Sequence, residues 1–232
     1  MRPKGEELKR REDAPMTVIY GPEHRALQDE ADSRRLADLW QEMLIHGELA
    51  PEEQGFIASR DFFFLSTVDA DGWPTVSYKG GAAGFVRVLD PRTIAFPGYD
   101  GNGMFLSAGN IAENAKVGLL FIDFETPHRL RVQGRGEIVR EGDLVGSFPG
   151  ATHAVRIAIT DAFVNCSRYI HKMTRVETSR HVPDAGGAQP LAEWKRIDAV
   201  QPHLPERDKA PAAKMGALTF EQYGEKVVAG TT

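Results

Sequence analysis

Hydrophobic spacing divides the chain into a helical stretch, a series of short strands and a tail. From residue 24 to about 53 the pattern is helical: Leu36, Leu39, Met43 and Leu44 recur every three or four positions, set against Arg34, Arg35 and Asp38. Pro51 interrupts, and "PEEQGFIAS" (51–59) predicts a short second helix opened by proline, with glutamates in the first turn where the helix dipole favours them. The period changes at Asp61. "FFFLSTV" (62–68), the turn "DADG" (69–72) and "WPTVSYK" (73–79) predict a first hairpin. "FVRVL" (85–89), "DPR" (90–92) and "TIAFP" (93–97) predict a second. "VGLLFIDF" (117–124), "ETPH" (125–128) and "RLRVQGRGEIV" (129–139) predict a third. In its last strand Leu130, Val132 and Ile138 face one way, and Arg129, Arg131, Gln133, Arg135 and Glu137 the other. A further strand is predicted over 154–166.

Seven short strands with one helix inserted after the fourth predict a mainly β fold, an antiparallel barrel with flanking helices, and not a layered βαβ fold. The expected divisions are a helical arm (1–55), the barrel (56–175) and an extension (176–232) that wraps the barrel or a partner. The extension is rich in proline, alanine and charge, and holds Trp194 and a short helix over 218–227. The charged, poorly periodic residues 1–20 are expected to be a mobile or partner-draped lead-in.

Composition narrows the function. With 41% hydrophobic residues the chain can bury a core, and its net charge of −5 gives no broad basic face for nucleic acid. The longest apolar run, 117–122, is too short to span a bilayer. No apolar stretch follows the charged first fifteen residues, so no secretory signal is expected. The single cysteine, Cys166, excludes an internal disulfide and fits a cytoplasmic protein.

Candidate chemistry concentrates in "PGYDGNGMFLSAGNI" (97–111). Met104, Ala108, Ile111 and Ala115 fall at helical spacing, which predicts a helix from Gly103 or Met104 to just before Lys116, with Asn102 as its N-cap. Glycines ahead of it free backbone N–H groups to turn towards an anion, and the helix dipole adds to the attraction. Taken alone, the stretch fits a plain strand-to-helix connection better than an anion cradle. A dinucleotide fingerprint fails because Leu106 stands where its third glycine belongs and no βαβ unit surrounds it, and no Gly-Lys-Ser/Thr occurs for a Walker loop. What strengthens the anion reading is "PTVSYKGG" (74–81), which places the Ser77 hydroxyl and the Lys79 ammonium on one face of a rigid strand.

Elsewhere the signals are weaker. Cys166 is a nucleophile only if His153 or His171 serves it, and a small core residue is the plainer reading. The seven histidines show no metal-ligand spacing. Asp123, Glu125 and Asp161 form no recognisable pair and are expected to be solvated.

The order of these segments resembles the pyridoxamine 5'-phosphate oxidase-like superfamily of flavin-binding split barrels. The resemblance rests on "DFFFLSTVDADGWPTVSYKGG", "GFVRVLDPRTIAFPGYDGNGMFLSAGNIAENAKVGLLFIDF", "HRLRVQGRGEIV" and "FVNCSRYIHKM", and spans about residues 56–175. It implies an antiparallel Greek-key split barrel and a homodimer with FMN at two sites between subunits. It further implies that Val76, Ser77 and Tyr78 run along the flavin, with Lys79 on its phosphate. Pro97, Tyr99, Asp100, Asn102 and Gly103 would hold ribityl and phosphate, Ser107 the phosphate, and Arg129 the flavin ring. Asn165, Arg168 and Tyr169 would come from the second subunit. The implied activity is that of an FMN-dependent oxidoreductase acting on an unidentified small molecule, with NAD(P)H as a candidate donor. A non-catalytic flavin- or haem-binding protein and a deazaflavin-dependent reductase are the alternatives. Two departures argue against vitamin-B6 oxidation. "LAEWKRIDAV" (191–200) lacks the substrate-clamping arginines that follow the family's tryptophan, and "GNGMFLS" replaces its Ser-Arg-Lys phosphate cluster.

Overall fold

The computed structural model describes residues 19–232, so the lead-in expected over 1–20 lies, up to residue 18, outside the described residues. The chain divides into two compact units, Met1–Val176 and Glu177–Thr232.

In the first unit the helical pattern over 24–53 folds not as one helix but as α1 (Pro22–Glu30) and α2 (Arg34–Leu44), followed by an extended link. The break falls at Asp32, whose φ of 49° lies in the left-handed region that Asp adopts more readily than most residues. After α2, His46 pairs with Ala162: its N–H donates to the Ala162 carbonyl at 3.2 Å, and the Ala162 N–H donates back at 2.7 Å. A backbone engaged in that bridge cannot also continue a helical ladder. Helix α3 (Pro51–Ser59) forms as its sequence predicts, with Pro51 at the start and the Glu53 carboxylate accepting from the Ala50 N–H at 2.9 Å.

Seven strands follow: β1 (Phe62–Val68), β2 (Pro74–Gly80), β3 (Arg87–Asp90), β4 (Thr93–Gly98), β5 (Lys116–Asp123), β6 (His128–Val139) and β7 (His153–Val164). They form one antiparallel sheet in the order β2-β1-β5-β6-β7-β4-β3. Strands β5, β6 and β7 are consecutive neighbours, and β4 returns to lie beside β7, which is a Greek key read from its far end. Helix α4 (Leu106–Asn114) spans the β4–β5 crossover, and the four-residue α5 (Asp143–Gly146) precedes β7.

Alternation sends one face of each strand inward. In β1, Phe63, Leu65 and Thr67 are buried, and Phe63 packs its ring against Phe85, Phe96 and Phe121 at centroid distances of 5.0–5.8 Å. In β6, Leu130 and Val132 point inward while Arg131, Gln133, Arg135 and Glu137 remain exposed. An aspartate anchors each hairpin turn. Asp69 accepts from the N–H groups of Asp71 and Trp73, Asp90 from Arg92, and Asp123 from Glu125 and Thr126, all at 2.7–3.0 Å. This side-chain bond to the backbone two or more residues ahead is why Asp opens turns.

Asp123 is therefore not the solvated carboxylate expected. Burial would raise its pKa, but the turn amides and the Arg60 guanidinium, 2.8 Å away, hold it below its ordinary value. Asp161 is also not solvated, being only 3% exposed: it continues the inward alternation of Ile157 and Ile159 along β7, next to a bulge that shifts the β6–β7 register by one residue. Glu125 accepts from the Arg175 N–H at 3.2 Å.

The second unit has more regular structure than its composition suggests. Besides the expected helix, here α7 (Phe220–Val228), it contains α6 (Glu206–Lys214) and two 3-10 turns, Glu193–Arg196 and Gln201–His203. Lys195 and Asp208 form a buried pair at 2.9 Å. Burial would raise the pKa of Glu193, but Arg196 and Lys226 around it outweigh that and lower it.

Candidate functional site

Helix α4 is fixed to the first hairpin by side-chain amides. Asn110 Nδ2 donates to Thr67 Oγ1 at 3.0 Å and lies 3.4 Å from Thr75 Oγ1, the two threonines being 2.8 Å apart. One turn on, Asn114 Nδ2 donates to the Val68 carbonyl. Thr67 and Asn110 are both buried, so these bonds stand where water cannot replace them. They set the start of α4 beside β2. There Ser107 Oγ lies 3.2 Å from Ser77 Oγ and accepts from Lys79 Nζ at 3.4 Å.

The helix begins later than its sequence suggests, at Leu106 and not at Gly103 or Met104, and Asn102 is not its N-cap. Gly103, with φ of 79°, and Phe105, with φ of 50°, both lie in the left-handed region and break the helical ladder. Met104 N–H instead donates to Asn102 Oδ1 at 3.1 Å, so Asn102 closes a turn ahead of the helix. Phe105 takes the N-cap position, and no side chain caps the first turn. The leading N–H groups of α4 therefore keep their capacity to meet an anion.

Beside this helix start lies a cavity of about 470 Å³. Its walls come from β2, the end of β4, the following loop, the start of α4 and the start of β7, and its floor includes Leu65, Phe96 and Ile111 of the core. Of the residues expected to bind a cofactor, Ser77, Tyr78, Lys79, Pro97, Tyr99, Asp100, Asn102, Gly103 and Ser107 line it. Val76 does not; it is 71% exposed on the outer face of β2. Arg129, Asn165, Arg168 and Tyr169 also lie outside it, at the opposite end of β6 and β7. The last β6–β7 pair is Leu130 with Val164, and Arg129 and Asn165 are the next residues beyond it. Each carries a buried atom with no hydrogen-bond partner among the described residues, Arg129 Nε and Asn165 Oδ1. Tyr169 is 84% exposed, with the Arg168 guanidinium 6.0 Å from its ring centroid.

His153 was legible only as a remote partner for Cys166, yet it lines the cavity while Cys166 is exposed and does not. Its place follows from the β4–β7 register, which pairs it with Gly98, 55 positions earlier. A Cβ on residue 98 would lie 2.1 Å from the imidazole, so only glycine admits the ring there. The spacing within the chain gives no hint of this contact.

The titratable groups lining the cavity are Lys79, Asp100, Tyr78, Tyr99 and His153. Burial lowers the pKa of Lys79 and raises that of Tyr99, the latter partly offset by Arg87. Burial also lowers the pKa of His153, as do the charges of Arg140 and Lys79. A desolvated ammonium, two hydroxyls and an uncapped helix start suit a phosphate monoester, while the apolar floor suits an organic body attached to it.

A sequence profile of the family described as Pyridoxamine 5'-phosphate oxidase matches residues 49–173, more than half of the chain. Among solved structures, HupZ of Group A Streptococcus is 22% identical with a TM-score of 0.42, the match covering 50% of this chain and 93% of that one. An FMN-binding protein from Syntrophomonas wolfei is 14% identical with a TM-score of 0.39, over 60% of this chain and 97% of its own. HutZ, the heme storage protein from Vibrio cholerae, is 22% identical with a TM-score of 0.39, over 50% of this chain and 94% of its own. Among curated proteins, none matches the chain. Among the described residues, no helix is long and apolar enough to cross a membrane.

Proposed function

The chain belongs to the pyridoxamine 5'-phosphate oxidase family, and from that premise we propose that its cavity holds the phosphate and ribityl end of FMN in a cytoplasmic homodimeric oxidoreductase acting on a small molecule. The observation that carries this reading is the convergence of Lys79 Nζ, Ser77 Oγ and Ser107 Oγ on the uncapped start of α4. Lys79 supplies the charge, and its desolvation strengthens the attraction it exerts on an anion. The hydroxyls and the amides of Leu106, Ser107 and Ala108 supply direction. Asn110 and Asn114 keep helix and strand in register so that no group must reorganise on binding.

Bound FMN supplies hydride or electron transfer at its ring, chemistry that no side chain of this protein provides. The chain's own part is to orient the cofactor, to exclude water with the apolar floor and to set the charge around the ring. For that last role the reading assigns Arg129, with Asn165, Arg168 and Tyr169, to the cofactor held by a second copy. The orphaned Nε of Arg129 and Oδ1 of Asn165 support it, because buried polar atoms without partners are rare unless another molecule completes them. A guanidinium near the ring favours its reduced, anionic state and raises its potential.

Heat release of the chromophore from purified protein, followed by absorbance and mass spectrometry, tests the reading. FMN is expected. Recovery of a deazaflavin or haem in its place overturns it, as does FMN that no small-molecule donor, NADH and NADPH included, can reduce under anaerobic conditions.

A further inference from the structure

His153 stands at the head of β7, inside the cavity and across from nothing that its neighbours in sequence would predict. Its ring is fixed at one nitrogen. Thr152 Oγ1 lies 3.0 Å from the Gly98 carbonyl, which can only accept, so the hydroxyl proton points there. The same oxygen lies 2.9 Å from His153 Nδ1 and must then accept, which assigns the Nδ1–H tautomer to the neutral ring. Nε2 is left with a lone pair, and no group among the described residues bonds it. The bare Cα of Gly98 lets that edge of the ring lie over the end of β4.

Burial disfavours the charged form of the ring, and two nearby cations disfavour it further. Lys79 reaches it from β2 and Arg140 from the residues after β6. Tyr99 and Asp100 on the loop after β4 and Tyr78 on β2 are the other titratable groups lining the same cavity. Partial burial and the two cations disfavour a further positive charge on the ring, and a phosphate dianion entering the cavity, adding to the Asp100 carboxylate there, reverses that balance.

We propose that His153 is a proton-linked element of the phosphate cradle, its Nε2 taking a proton from solvent as a phosphate monoester enters and forming with Lys79 a pair of cations about the dianion. The inference rests on the reading that the cavity binds the phosphate end of FMN. It adds to that reading a discrimination rule. Ligands ending in a phosphate dianion gain from the proton, and uncharged analogues such as riboflavin do not. The sign follows from linkage. A group whose pKa rises on binding strengthens binding as pH falls through the bound-state value, and adds nothing well above it.

Calorimetric titration of the full chain, stripped of cofactor, with FMN and with riboflavin in buffers of different ionisation enthalpy reads the proton count directly. At about pH 6.5, near the ordinary imidazole value, the wild-type chain is expected to take up about half a proton more per FMN than His153→Gln. Ionisation of the FMN phosphate is common to both and cancels. The ratio of FMN dissociation constants, variant over wild type, is expected to be about tenfold near pH 6 and close to one near pH 8.5, the gain of one charge-assisted hydrogen bond. Gly98→Ala keeps the histidine but drives its ring from the cavity wall, and is expected to lose the same proton; it carries the test should His153→Gln fail to fold. Equal proton counts in wild type and both variants, with FMN still bound, overturn the proposal and leave the phosphate reading standing. An equal excess of protons with riboflavin also overturns it. Failure of the wild-type chain to bind FMN at all overturns the reading and the proposal together.

Discussion

At its first residue β7 sets His153 against Gly98, within a cavity where Lys79, Ser77 and Ser107 already converge; just past its last residue it leaves Asn165 beside Arg129, each with a buried polar atom that no described residue bonds. The first region is assembled from elements that are distant in sequence but pinned to one another within a single chain. The second has the residue types of a binding surface without the partners. Buried amides and guanidiniums normally find hydrogen bonds within their own fold. On the function proposed above, the two regions are halves that meet across copies of the chain, one holding the phosphate and the other facing the ring.

The sharpest way to break that comparison is by complementation. Lys79→Ala alone is expected to weaken FMN binding about a hundredfold, the loss of a charge-assisted contact, and Arg129→Ala to lower the flavin midpoint potential while leaving a weaker site. Dissociated and mixed in equal amounts, the two variants should regain about a quarter of the wild-type sites, because random pairing under two-fold symmetry gives half mixed dimers with one intact site each. Fluorescence quenching on titration with FMN counts those sites. No recovery on mixing, in a sample that sedimentation shows to be dimeric, means that Lys79 and Arg129 serve a site from the same copy of the chain and ends the two-halves account.

A smaller effect is expected at the tie that holds the first half together. Asn110→Ala removes the amide that joins α4 to Thr67 and Thr75, and should cost about 1–3 kcal/mol of stability. Chemical unfolding measures that loss. Because the start of α4 moves with it, FMN affinity should fall as well, by about threefold to tenfold. Unchanged affinity at reduced stability would separate the helix from the site.

The smallest effect lies near the second half, at the β5–β6 turn. The pKa of Asp123 is lowered in the fold, so its contribution to stability is complete above the ordinary carboxylate value near 4 and is lost as pH falls through the lower folded-state value. Thermal melting of wild type and Asp123→Asn is expected to differ at neutral pH and to converge in acid. A difference that persists unchanged through the acid range shows that the turn does not depend on the ionised carboxylate.

The candidate site was legible to different depths in its two halves. Ser77 and Lys79 could be nominated because a strand places alternate residues on one face, a local rule, whereas Ser107 was implied only by the family resemblance. Asn102 was assigned the wrong task because the choice of N-cap depended on where Gly103 and Phe105 took left-handed angles. His153 had no local signature at all. Its partner is Gly98, and nothing short of the β4–β7 pairing brings the two together.

Local regularities in the chain were enough to determine the seven strands, the places of the three hairpin turns and the helix after β4, since period and turn chemistry are set over a few residues. Only tertiary structure decided that the arm breaks at Asp32 and bridges to Ala162, that β6 and β7 shift register at a bulge, and that an imidazole lies over a glycine Cα in the cavity wall. Those outcomes depend on which strands pair and in what register, and pairing is settled by the whole core at once, through contacts between residues that no short stretch of sequence brings together.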